Sequence, residues 1–139
     1  MKPHRFAAVT TATVLALTGV AAAGPAEAAA RKPGVVVDYD YHKIKVKPKT
    51  FRPYKDVYFS GVRWTKLTKS TGKATAVQHI NTCVPDCAAG NYRKARVSLK
   101  FNRVRLSDCR KVFTRVKATE VKSRKTRTFR LPVFTKAGC

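Results

Sequence analysis

Lys94-Ala95-Arg96-Val97-Ser98-Leu99-Lys100-Phe101 alternates without a break. Ala95, Val97, Leu99 and Phe101 fall on one side of an extended chain, with Lys94, Arg96, Ser98 and Lys100 on the other. Successive side chains of a strand point to opposite faces, so a period of two predicts a strand with one buried and one wet face. Its neighbours extend the pattern. Upstream, Val57 to Thr68 is rich in β-branched and aromatic residues, and Gly61 stands where a bulge would fit. Lys69 to Lys73 reads as a turn and Ala74 to Asn81 as the returning strand of a hairpin. Downstream, a break at Arg105 to Arg110 precedes a last pair, Val112 to Thr119 and Arg127 to Val133, joined by the basic turn Lys122 to Lys125. Nearer the start, Val35, Val37, Tyr39 and Tyr41 alternate with Val36, Asp38, Asp40 and His42. Ile44 and Val46 then alternate with Lys43, Lys45, Lys47 and Lys49. No helical apolar stripe persists in this part of the chain. Six to eight short strands in one domain predict an all-β fold, a small antiparallel β-sandwich or barrel.

The first thirty residues carry a different pattern. Lys2, His4 and Arg5 precede an uncharged apolar stretch from Phe6 to Ala23, which Gly24 and Pro25 break before Ala26-Glu27-Ala28. Basic, apolar and small-residue regions in that order predict a cleavable export signal. Residues 1–30 are therefore expected as the signal peptide, cut after Ala28 or Ala30, and residues 31–139 as a single secreted β domain. No second apolar run is long enough to span a bilayer. The expectation is an extracellular protein with no stable membrane anchor.

Charge is the next feature. Leaving out Lys2, Arg5 and Glu27 takes the 30 basic and 7 acidic residues to 28 and 6, a net charge of +22. Such an excess draws any polyanion and says little about the fold. Lys43, Lys45, Lys47 and Lys49 form one row, and Lys94, Arg96 and Lys100 a second. If those polar faces adjoin, they make one cationic surface. Other basic residues, among them Lys66, Lys73, Lys122 and Lys136, read as scattered.

Cys83, Cys87, Cys109 and Cys139 are even in number, and in an exported chain they predict two disulfides. Four cysteines allow three pairings, among which the spacing does not choose. Cys83–Cys87 and Cys109–Cys139 are favoured, because Pro85 pre-bends the short loop and a terminal cysteine is of most use when anchored. A four-thiolate zinc site fits poorly, since the set lacks a second close pair. The run Cys83-Val84-Pro85-Asp86-Cys87-Ala88-Ala89-Gly90 follows a segment with Trp64 and precedes the Val97-Ser98-Leu99 strand. This order resembles a group of small secreted actinobacterial proteins that carry a Cys-x-Pro-x-Cys-Ala-x-Gly motif. The resemblance spans about Val57 to Thr119. It implies export and a disulfide-stapled β domain, and it attaches no activity.

The residues nominate no catalytic group and no cofactor. His42 and His79 are the only histidines after the signal, and neither has a second histidine at ligand spacing. No glycine-rich phosphate loop, Gly-x-Ser-x-Gly or His-Glu-x-x-His occurs. Asp38 and Asp40 share one face and read as salt-bridge partners of Lys43, Lys45 and Lys47. His79 reads as a solvated or core-edge residue rather than a partner of Asp108. Tyr39, Tyr41, Tyr54, Tyr58 and Trp64 read as core rather than as a ligand-stacking face. The function expected is a secreted, non-enzymatic binding module for an anionic polymer at or outside the cell wall, such as a phosphate polymer or extracellular nucleic acid. The alternative is a disulfide-stapled inhibitor or toxin that meets a partner protein through Val84 and Asp86 of the Cys83–Cys87 loop.

Overall fold

The computed structural model describes residues 31–135; the expected signal peptide and Cys139 lie outside the described residues. Eight strands follow in order: β1 (Val35–Val36), β2 (Ile44–Lys45), β3 (Phe51–Tyr54), β4 (Val57–Leu67), β5 (Gly72–Asn81), β6 (Tyr92–Ser107), β7 (Arg110–Glu120) and β8 (Thr126–Arg130). β3 to β8 form one antiparallel sheet in sequence order, and β1 pairs with β2 in a separate ribbon. There is no helix among the described residues.

The sheet curls into a half-barrel. The β4–β5 register shifts between Ser60 and Arg63 and again between Trp64 and Lys66. Each shift is a one-residue bulge, which bends and twists its strand. Gly61 takes φ 58° at the first, a left-handed conformation that glycine adopts without a Cβ clash. The curl brings the edge strands β3 and β8 face to face. Arg130 N donates to Tyr54 Oη at 3.1 Å, and the Phe129 ring stands 5.6 Å from that of Phe59. At the opposite end, the segment around β1 spans the gap between β7 and β3. Phe113 N donates to Gly34 O at 2.9 Å and Arg52 N to Val37 O at 2.8 Å.

One face of the sheet lines the interior. Phe51, Phe59, Phe101 and Phe113 fill it, with Val97, Leu99, Val116, Ala118 and Leu131 around them, all buried. β5 contributes small residues here, Gly72, Ala74 and Ala76, which leave room for the rings opposite. A Cβ built on Gly72 would lie 2.8 Å from the Trp64 ring. Trp64 stacks on Phe101 at 4.6 Å and donates Nε1–H to Pro48 O at 3.0 Å.

The all-β, antiparallel expectation holds, and so does the Val57 to Asn81 hairpin. A sandwich does not form, because the two-residue strands of the β1–β2 ribbon are too short to make a second layer. Three local readings need correction. The alternation from Val35 to Val46 yields only two short strands, because Asp38 Oδ1 accepts Asp40 N at 3.1 Å and the chain turns there. β6 runs through the expected break to Ser107 and reverses at Asp108–Cys109, both at positive φ, 45° and 60°. Two left-handed residues in a two-residue loop match the twist of a hairpin. Finally, Leu131 is buried but Val133 is exposed, because β8 ends at Arg130. Of the expected disulfides, Cys83–Cys87 is formed. No free cysteine stands among the described residues, and the expected Cys109–Cys139 bridge would have its second member outside them.

Candidate anion-binding face

The outer face of the sheet is built by register. Hairpin pairing sets Lys66 opposite Lys73, Lys73 opposite Lys100, and Lys100 opposite Lys117. Their sequence neighbours Leu67, Ala74, Leu99, Phe101, Val116 and Ala118 point inward, so all four lysines point out, and all four are exposed. Four adjacent strands thus carry a row of ammonium groups perpendicular to the chain direction. Strands lie about 4.8 Å apart, so each lysine has a like charge at its nearest cross-strand position. Such pairs are unfavourable, and none of the four has an ion-pair partner among the described residues.

Parallel rows flank this one. Arg63, Thr75, Ser98, Thr119 and Thr126 occupy the next outward positions across β4 to β8. Beyond them come Arg96, opposite Val77, and then Lys94, opposite His79. On the other side Arg115 stands opposite both Asn102 and Arg130. No carboxylate stands in the lysine row or pairs across strands with it. Asp38 and Asp40 lie between β1 and β2, Asp56 in the β3–β4 turn, Asp86 in the cysteine loop and Asp108 in the β6–β7 turn. Glu120 ends β7, opposite the inward-facing Val97, where Ser123 and then Arg93 hold its carboxyl below the usual value. Arg93 Nη2 reaches Glu120 Oε1 at 2.6 Å.

Lys94, Arg96 and Lys100 all point outward on β6, with Ser98 between Arg96 and Lys100, in the middle of this face. Lys43, Lys45, Lys47 and Lys49 do not form a strand face. Only Lys45 is in a strand, Lys47 has φ 52°, and Pro48 between Lys47 and Lys49 is buried. The four are exposed on the connection from β1 to β3. Asp38 and Asp40 make no ion pair with them among the described residues; Arg93 pairs with Glu120, and His42 Nδ1 lies 3.4 Å from Asp108 Oδ2. Lys66 and Lys73, which read as scattered, belong to the row, and so does Lys117. The β4–β5 and β6–β7 turns carried the signal for this. A Leu67–Gly72 closure sets Lys66 against Lys73, and a Ser107–Arg110 closure sets Lys100 against Lys117.

Two other clusters have chemistry in them. His79 Nε2 lies 2.8 Å from Ser60 Oγ on the outer face, as a base lies beside a nucleophile. Its ring is 7 % exposed, stacks on Tyr58 at 4.1 Å, and its Nδ1 has no partner among the described residues. No carboxylate orients the imidazole, and burial, then Lys94, lowers its pKa. The pair reads as a buried hydrogen bond at the core edge. Asp108, far in the fold from this site, is instead engaged with His42. Tyr58 therefore belongs to an outer-face cluster, Trp64 to the core, and Tyr41 and Tyr54 are exposed.

The Cys83–Cys87 loop is held from below by Asn81. Its amide donates to Cys87 O at 2.7 Å and to Asp56 Oδ1 at 3.2 Å, and its Oδ1 accepts Cys83 N at 3.1 Å. The Asp56 carboxylate lies within 4.8 Å of both sulfurs, but these are bonded to each other and offer no thiolate. Val84 at the tip is exposed, and Asn91 donates its amide to Val84 O. No described helix is long and apolar enough to cross a membrane. Comparison of the chain with protein-family models, curated proteins and solved structures finds no match.

Proposed function

We propose that this chain is an exported, non-enzymatic module that binds anionic polymers through the outer face of its sheet. The observation that carries the reading is the row Lys66, Lys73, Lys100 and Lys117, four like charges held side by side with no carboxylate among their cross-strand partners. A fold gains nothing from that arrangement, whereas a polymer of regularly spaced negative charge gains by releasing its counterions. The apolar leader and the paired cysteines support export to an oxidising compartment, where wall phosphate polymers and free nucleic acid are the anions at hand. A Cys109–Cys139 bridge, tying down the C-terminus, completes the proposal.

Salt dependence tests it. With duplex DNA as the probe, log affinity falls against log salt by about 0.9 for each phosphate neutralised. Changing Lys66, Lys73, Lys100 and Lys117 together to Gln is expected to flatten that slope by roughly 3 to 4. The same change at Lys43, Lys45, Lys47 and Lys49 is expected to flatten it less. Equal losses would mean diffuse charge without a site. Unchanged binding by both variants would shift the interaction to the Cys83–Cys87 loop.

A further inference from the structure

Between the lysine row and Arg96 lies a strip that the charge argument leaves unused. Thr75, Ser98, Thr119 and Thr126 stand side by side on four adjacent strands, with Arg63 at one end. Thr119 Oγ1 and Thr126 Oγ1 are 3.0 Å apart, while the exposed hydroxyls of Thr75 and Ser98 have no partner among the described residues. Two shallow depressions lie along the strip. One depression is lined by Lys73, Ser98, Lys100, Lys117 and Thr119, and the next by Arg63, Thr75, Val77 and Arg96. Outward positions along a strand are about 6.8 Å apart, so the strip between the lysine row and Arg96 is about 14 Å wide. That is room for one extended polymer strand crossing the sheet.

We infer that the strip is a track for a single phosphodiester strand, recognised by its backbone alone. The inference rests on the polyanion reading above and names the chemistry. A phosphodiester carries one negative charge and two non-bridging acceptor oxygens. The lysines on one flank, Arg96 on the other and Arg63 at one end supply charge, and the unpartnered hydroxyls supply donors between them. Proteins that hold single-stranded nucleic acid by its bases add aromatic platforms to such a groove. Here the floor has none. Trp64 is turned into the core against Phe101, and Tyr58 is stacked on His79 outside the strip. A nucleic acid and a base-free polyol phosphate therefore present the same ligand to the track.

Three probes of equal phosphate number decide between backbone and base: a poly(glycerol phosphate) chain, an abasic oligodeoxynucleotide and an oligothymidylate, each titrated into the wild-type chain. Affinities within about threefold of one another support the track, and a preference above about tenfold for the oligothymidylate overturns it. The double variant Thr75→Val with Ser98→Ala keeps every charge and breaks no hydrogen bond of the fold. Its expected result is an affinity about tenfold lower for all three probes with an unchanged salt slope. Wild-type affinity in that variant overturns the track even where the Lys66, Lys73, Lys100, Lys117 variant has lost its slope. An unchanged slope in the lysine variant defeats the polyanion reading itself, so the two failures are told apart.

Discussion

His79 stands on the outer face of β5 yet is almost sealed from water, between Tyr58 of β4 and Lys94 of β6. Burial disfavours the imidazolium, Lys94 adds to the effect, and the folded pKa falls below its ordinary 6.5. The unfolded chain takes up its proton at the ordinary value, so between the two values it binds more protons than the folded one. Stability from this group is complete above 6.5 and is lost as pH falls below it. Thermal unfolding from about pH 7.5 to 5 is expected to show a falling Tm in the wild type and a flatter profile in His79→Gln. Parallel profiles would remove His79 as the cause. Gln78, the neighbouring residue, faces the other way. It is 2 % exposed inside the half-barrel, and its Nε2 has no partner among the described residues. Replacing a buried, unsatisfied amide by an apolar group of similar size removes a desolvation penalty, so Gln78→Leu is expected to stabilise by about 1 kcal/mol in urea unfolding.

At the scale of elements, β5 is the strand that the core demands be thin. Gly72, Ala74 and Ala76 leave the volume that Trp64 and Phe101 occupy. Gly72→Ala must displace the rigid indole that donates to Pro48 O, and overpacking of this kind costs about 1–3 kcal/mol. A lower Tm with red-shifted tryptophan emission is expected. Unchanged emission would mean that the ring had not moved. The inner face of β6 was legible because Ala95 to Phe101 alternate cleanly, and the β4 bulge because Gly61 interrupts a β-branched run. The length of β6 was not. Val104, Arg105 and Leu106 sit next to Asp108–Cys109, and that pair lacks the Asn-Gly or Asp-Gly signature of a tight hairpin. The first strands were over-read because Asp38 satisfies the backbone of Asp40, which competes with pairing. The lysine row was half legible, for a related reason. Two of its three pairings follow from short turns, but the third, Lys73 with Lys100, joins strands separated by the long Thr82 to Asn91 connection. Composition along one strand cannot supply register across several.

Over the whole molecule, the distribution of charge says more than its sum. The four lysines of the row have no carboxylate among their cross-strand partners, while all six acidic residues after the leader sit in turns, connections or at a strand end. Opposite charges on that face would stabilise the sheet, so the arrangement sacrifices stability to keep a uniform potential. Like-charge cross-strand pairs each oppose folding by roughly 0.2–1 kcal/mol, less when salt screens them. Lys73→Gln with Lys100→Gln removes all three contacts of the row at once. The direct test is the Tm of this variant beside the wild type at low ionic strength, with and without a saturating phosphodiester polymer. A ligand that binds only the folded state at about a hundred times its Kd stabilises by about 2.7 kcal/mol. The account predicts a variant that melts a few degrees higher alone and gains much less from the polymer. A variant that melts lower alone, or gains as much from the polymer as the wild type, would contradict it.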